Sequence, residues 1–188
     1  MLEAELAALQ GASLVQAGGK LQVLDRLMTR VLREGSRVLV FTQYTLTLDV
    51  LVEFCEARFG PEGSGYLRLD GATNRIKREI DVRSFNAQGS SIPCYLISTK
   101  AGGQGINLAT ADIVVLYDSC WNPQVDLQAQ DRSHRIGQKK QTKVYRLITE
   151  NTLEQKILSR ARQKLVLDAM VIQKVFEMKN SKLTLDRK

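Results

Sequence analysis

Cysteine and histidine are scarce in this chain. Cys55, Cys94 and Cys120 lie far apart, and His134 is the single histidine in 188 residues. With no Cys-x-x-Cys and one imidazole, no zinc site is expected, and the odd, scattered cysteines point to a reducing intracellular setting. No apolar run is long enough to span a bilayer, so no membrane partner is expected. Met1 to Gln10 hold acidic side chains and no basic ones, which speaks against a signal or transit peptide. There is no internal repeat and no low-complexity tract.

Two further absences concern chemistry. "AGGKL" (Ala17 to Leu21) resembles the end of a phosphate-binding P-loop, Gly-x-x-x-x-Gly-Lys-Ser/Thr. Leu14 stands where the first glycine belongs, Leu21 replaces the hydroxyl that holds magnesium, and no strand precedes the stretch. No Asp-Glu pair ends a strand to hold a metal. The sequence therefore lacks the parts that cradle a triphosphate unaided, and no metal ligand is expected in it.

The composition is that of an ordinary globular protein, 44% hydrophobic and 25% charged. That length suits one domain with a sizeable core and an appended helix. A net charge of +7 and a pI of about 9.5 favour polyanionic partners, nucleic acid first.

Periodicity alternates along the chain. Residues 1–13 read as a linker or frayed helix. Leu21, Leu24, Leu27, Met28, Val31 and Leu32 then share a helical face that Gly35 stops. Short apolar strands are predicted over 37–42, 66–70, 94–99, 113–118 and 143–148. Between them fall helices over about 46–59, 74–85 with Thr73 as N-cap, and 122–134 with Asn122 capping and Pro123 at the first position. "TLEQ" (Thr152 to Gln155) has capping-box spacing and opens a packing helix to about Gln173. Residues 174–188 read as a basic tail of uncertain order. Alternating strands and helices predict an α/β fold, a mostly parallel sheet covered on both faces. Ligands in such sheets bind beyond the carboxyl ends of strands, so the loops after Thr42, Asp70, Thr99 and Asp118 are the candidates.

Three stretches there carry potential chemistry. In "STKAGGQGINL" (Ser98 to Leu108), glycines suit close approach to phosphate, Lys100 adds a cation and Asn107 a two-way hydrogen bonder. A plain tight turn fits the same residues. Gln128, Arg132 and Arg135 are spaced to share one helical stripe, and arginine's forked donors suit a phosphoryl group. An ordinary Asp131–Arg135 ion pair on a solvated face fits that stretch too. Trp121 suits either a core or a contact role, and Gln43 either a phosphate contact or a cap.

Taken together, "RVLVFTQY", "YLRLDGAT", "STKAGGQGINLATADIVVLYD", "WNPQVDLQAQDRSHRIGQKKQTKVYRLIT" and "TLEQKILSRARQKLVLDAMVIQ" occur in an order and spacing that resembles one family. It is the C-terminal RecA-like lobe of the Swi/Snf-type chromatin-remodelling ATPases of helicase superfamily two. The "HRIGQKK" and "KLVLDAMVIQ" wording is most similar to the imitation-switch branch. The likeness covers Leu14 to Gln173.

The resemblance implies a three-layer RecA-like lobe over 14–150, a bracing helix over 151–173 and a nuclear setting. In the pattern Gln-x-x-x-Arg-x-x-Arg it implies that Gln128 meets the nucleotide and that Arg132 and Arg135 are arginine fingers. "HRIG" at His134 is not the family's His-Arg-x-Gly box, because the arginine spacing aligns Gln128 with that box's histidine. Gly105 and Asn107 are implied near the nucleotide sugar, and Gln43, Thr73, Lys100 and Trp121 against DNA. Lys100 stands where many relatives have arginine, keeping charge but losing a bidentate phosphate grip. The implied ligands are ATP with Mg2+, the metal held by an N-terminal RecA-like lobe that these residues do not contain. The implied partners are that lobe, double-stranded DNA, nucleosomes and histones. A non-catalytic nucleic-acid-binding module and a freestanding nucleotide-binding transferase are the rival readings.

Overall fold

Five strands pair side by side, the three central ones runs of buried residues and the edge strand Lys143–Arg146 part-exposed. The computed structural model describes residues 12–102, 105–133, 138 and 140–185. The strands are β1 (Val38–Thr42), β2 (Tyr66–Leu69), β3 (Cys94–Ser98), β4 (Ile113–Leu116) and β5 (Lys143–Arg146). They form one sheet in the order β2-β3-β1-β4-β5, with every pairing parallel. The helices are α1 (Gly19–Arg33), α2 (Thr45–Phe59), α3 (Arg75–Asn86), α4 (Thr99–Gly102), α5 (Pro123–Gln130) and α6 (Leu153–Leu185).

Side chains alternate across a strand, and that alternation divides the core in two. Val38 and Val40 face one side with Leu96, Ile113 and Val115, where α1 and α2 cover them with Leu24, Met28, Leu48 and Phe54. Leu39 and Phe41 face the other with Tyr95, Ile97 and Val114, beneath Phe85 of α3 and Ala129 of α5. Both faces are dry, so β1, β3 and β4 read as continuous apolar runs rather than alternating ones.

Several boundaries differ from expectation. Gly35 ends α1 as predicted: at φ +69° it lets Gly35 N–H reach Leu32 O and Ser36 N–H reach Val31 O, both at 3.1 Å. The cap of α3, however, is Asn74, whose side chain accepts from Lys77 N–H, and not Thr73. Thr73 Oγ1 is taken by the preceding turn, where it accepts from Asp70 N–H at 3.1 Å. Helix α5 stops at Gln130, short of the expected 134. Its last turn tightens, with Arg132 N–H on Ala129 O and Ser133 N–H on Gln130 O, and Ser133 Oγ donates to that same carbonyl. At α6 the capping bonds are shifted by one residue. Thr152 Oγ1 accepts from Glu154 N–H, and Gln155 Oε1 accepts from Asn151 N–H. Helix α6 runs past Gln173 to Leu185, burying Ile157 and Ala161 while Leu153 stays exposed.

Candidate nucleotide and DNA interface

The connections divide at β1. Strand β1 leads into α2 on one face, whereas its neighbours β3 and β4 lead into α4 and α5 on the other. Such a division opens a crevice at the carboxyl ends of the strands.

Acidic residues build the floor of this edge. The Asp118 carboxylate, just past β4, accepts from Thr42 Oγ1 and from Gln43 N–H at 2.9 Å. It ties the end of β1 to the end of β4 and fixes where Gln43 begins its loop. Buried Asp126 of α5 pairs with Arg146 at the end of β5, and it also accepts from Cys120 N–H at 3.2 Å. Arg146 donates to Ser119 Oγ at 3.0 Å as well. The β4–α5 loop is thereby held at both of its ends, because Asn122 caps α5 through Gln124 N–H.

The predicted residues lie on the segments that follow β1, β3 and β4. Lys100 is exposed on α4 and forms no hydrogen bond or ion pair among the described residues. Trp121 is 42% exposed. Gln43 is half-buried beside Asp118, and Gln128 is exposed on α5. Asn107 is exposed; its Oδ1 accepts from Ala109 N–H at 3.2 Å and its carbonyl accepts from Asn86 Nδ2 at 2.8 Å. Gly105 is exposed at φ +73°, a conformation that favours glycine, and a Cβ placed there would meet nothing within 4 Å.

Arg132 is tied to the loop after β3. Its carbonyl accepts from Leu108 N–H at 3.1 Å, which joins the turn after α5 to the loop after β3. Its side chain is only 7% exposed, so it lies tucked against the fold rather than projecting. Arg135 lies outside the described residues.

Thr73 stands apart from this group, at the end of the edge strand β2. Its turn is organised by Asp70, which accepts from Ala72 N–H at 2.9 Å and pairs with Arg68. Burial works to raise the Asp70 carboxyl, but Arg68, Ala72 N–H and Thr73 outweigh it and hold the group below the usual range.

The apparent P-loop lysine has a structural task. Lys20 Nζ donates to Tyr117 O at 2.8 Å, pairs with Glu154 at the start of α6 and lies 5.5 Å from the Tyr117 ring centroid. Among the described residues, no cluster of three metal-ligating side chains exists. The exposed amides of Asn107 and Gln128 and the ammonium of Lys100 suit phosphate and sugar oxygens.

Residues 19–137 match the model of the helicase conserved C-terminal domain. The chain belongs to that family. Within it, this helicase C-terminal lobe is related to the ATPases of chromatin remodelling. It is 52% identical over 172 residues to the human SWI/SNF-related matrix-associated actin-dependent regulator of chromatin subfamily A member 1, covering 90% of the chain and 16% of that protein. Identity to the ISWI chromatin-remodeling complex ATPase ISW1 of Saccharomyces cerevisiae is 54% over 160 residues, 85% of the chain and 14% of the relative. Human chromodomain-helicase-DNA-binding protein 1 matches at 51%, 86% and 9%. Imitation-switch and chromodomain relatives thus stand at nearly equal identity. The crystal structure of the C-terminal part of the Fun30 ATPase domain superposes with a TM-score of 0.71 at 37% identity, covering 79% of this chain and 46% of that one. The helicase C-terminal lobe described here spans a small part of each full-length relative.

Sequence reasoning missed the supports of this edge. The Asp118 clamp and the Asp126–Arg146 pair join residues 75 and 20 positions apart. The Asp118 clamp had one signal, an acidic residue closing the apolar run of β4; the Asp126–Arg146 pair had none.

Proposed function

We propose that this chain is the second motor lobe of an ATP-dependent double-stranded DNA translocase that remodels nucleosomes in the nucleus. Membership of the helicase C-terminal family, at 51–54% identity to remodelling ATPases, is the observation that carries this reading.

In this reading ATP is the substrate and binds between two lobes. The first lobe contributes the P-loop and the magnesium ligands. Gly105 and Asn107 line the sugar side, and at Gly105 a ligand meets no Cβ. Gln128 meets the nucleotide, and Arg132 and Arg135 stabilise the charge that develops on the transferred phosphoryl group. Arg132 is tucked in within the isolated lobe, so closure against the first lobe must turn its guanidinium toward the phosphates. Gln43, Thr73, Lys100 and Trp121 face DNA, mainly its phosphates, which makes binding sequence-tolerant and salt-sensitive.

Alone, the lobe should hydrolyse no ATP. Mixed with a first lobe and duplex DNA, it should restore turnover. Arg132→Ala or Arg135→Ala should then lower the rate by about 10³ to 10⁵. Arg132→Lys serves as the better-folded companion, because it keeps the charge while losing the fork. Full turnover in all three variants would remove the finger assignment. DNA binding without any restored hydrolysis by the wild type would favour a non-catalytic binding module.

A further inference from the structure

Helix α6 reaches the proposed DNA edge through two cations. The Arg160 guanidinium lies 5.7 Å from the centroid of the Trp121 ring. One turn further along α6, Lys164 Nζ donates to the Trp121 carbonyl at 3.4 Å. The two residues are four apart and so share one face of α6, next to the stripe that Ile157 and Ala161 bury. Lys156 lies one turn earlier in the same row and is also exposed. Neither Arg160 nor Lys164 forms an ion pair among the described residues, so neither charge is neutralised. Trp121 meanwhile keeps 42% of its surface open.

We propose that Arg160 and Lys164 extend the DNA-binding surface from the Trp121 loop onto α6, each neutralising a phosphate of the duplex that Trp121 faces. This rests on the reading of the loop as a DNA contact. The guanidinium against the indole and the ammonium on the carbonyl hold the loop from outside while their remaining donors face solvent. A duplex laid across the loop therefore meets two uncompensated cations beside the aromatic ring. Arginine stacked on an aromatic face retains its in-plane donors for phosphate oxygens. The same two contacts make α6 a support for the loop.

Trp121 is the single tryptophan of the chain, so its fluorescence reports this site alone. The test is a titration of the full chain with duplex DNA at several salt concentrations, for wild type, Arg160→Gln, Lys164→Gln and Arg83→Gln. Arg83 is an exposed arginine of α3 that pairs with Glu79, and it serves as the charge control. Arg160→Gln and Lys164→Gln should each reduce the slope of log affinity against log salt by about 0.9, and the double variant by about twice that. Arg83→Gln should leave the slope unchanged, and Arg160→Gln should alter Trp121 emission before DNA is added. Wild-type slopes in both α6 variants, or an equal reduction in Arg83→Gln, would overturn the proposal. If polyglutamate bound as tightly as DNA, the surface would be one for acidic peptides and the assignment to DNA would fall. Lys100→Ala separates the two levels. A reduced slope there with unchanged α6 variants removes only the role of α6, whereas no DNA binding by the wild type removes the loop reading as well.

Discussion

The two ends of the sheet treat charge in opposite ways. At the amino end, Asp112 is buried and accepts from Ser36 Oγ at 2.9 Å and Arg37 N–H at 2.8 Å, with Lys140 at 3.5 Å. Arg37 lies 5.1 Å from the centroid of the Phe85 ring and donates to Ser90 O and Thr110 Oγ1. Burial pulls the Arg37 pKa down, and Asp112 offsets part of that. Both Asp112 oxygens and both terminal nitrogens of Arg37 are engaged in this knot. At the carboxyl end, Asp118, Asp126 and Arg146 are equally engaged, but Lys100, Trp121 and Gln128, on the segments that follow β3 and β4, remain exposed. The difference separates charge that closes a fold from charge available to a ligand.

The comparison breaks most readily at the amino end. Asp112→Ala should cost about 2–4 kcal/mol, because it strands the Ser36 hydroxyl and the Arg37 amide away from water. A urea unfolding curve measures this, and DNA affinity should be unchanged. A loss under 1 kcal/mol would mean that the knot is solvated after all.

At the carboxyl end the signs reverse. Lys100→Ala should leave stability within about 0.5 kcal/mol of wild type, as expected for an exposed residue without partners. It should lower the salt slope of duplex binding by about 0.9. Lys100→Arg should bind DNA at least as tightly as wild type, because it restores the forked grip. If Lys100→Ala unfolded the chain, the residue would belong with the floor.

The contrast explains how much the sequence disclosed. Strands and helices were legible because both faces of the sheet are buried, which writes continuous apolar runs separated by polar turns. The edge was legible because it follows from parallel topology, and the Asn122–Pro123 helix start is a local signal that the structure bears out. Local signals misled where one side chain had two possible partners. Thr73 has the chemistry of an N-cap, yet its hydroxyl closes the Asp70 turn and Asn74 caps instead. Leu14 and Leu21 exclude Lys20 from a P-loop, but its actual task is not readable locally, because its partners Tyr117 and Glu154 are 97 and 134 residues away. The Arg160–Trp121 contact was hidden for the same reason. A pairing made by tertiary folding leaves no spacing to read.

The smallest expected effect sharpens the role of these supports. Burial raises the Glu154 carboxyl, but the hydrogen bonds from Lys20 and from Thr149 N–H outweigh it and leave it below the usual range. A carboxyl lowered in the folded state stabilises the fold fully above its unfolded pKa of about 4.3 and loses that contribution as pH falls through the lower folded value. Asp70 acts with the same sign at the far end of the edge. The urea midpoint should therefore fall as pH drops from about 5 toward 3. Glu154→Gln should be less stable than wild type at neutral pH and should show a shallower acid limb. Because the Lys20–Glu154 pair is partly exposed, water screens it and the shift should be modest, under about 1 kcal/mol. An acid limb identical to wild type in Glu154→Gln would show that the Lys20–Glu154 pair adds nothing to stability and that Lys20 ties α1 to the end of β4 alone, through the Tyr117 carbonyl.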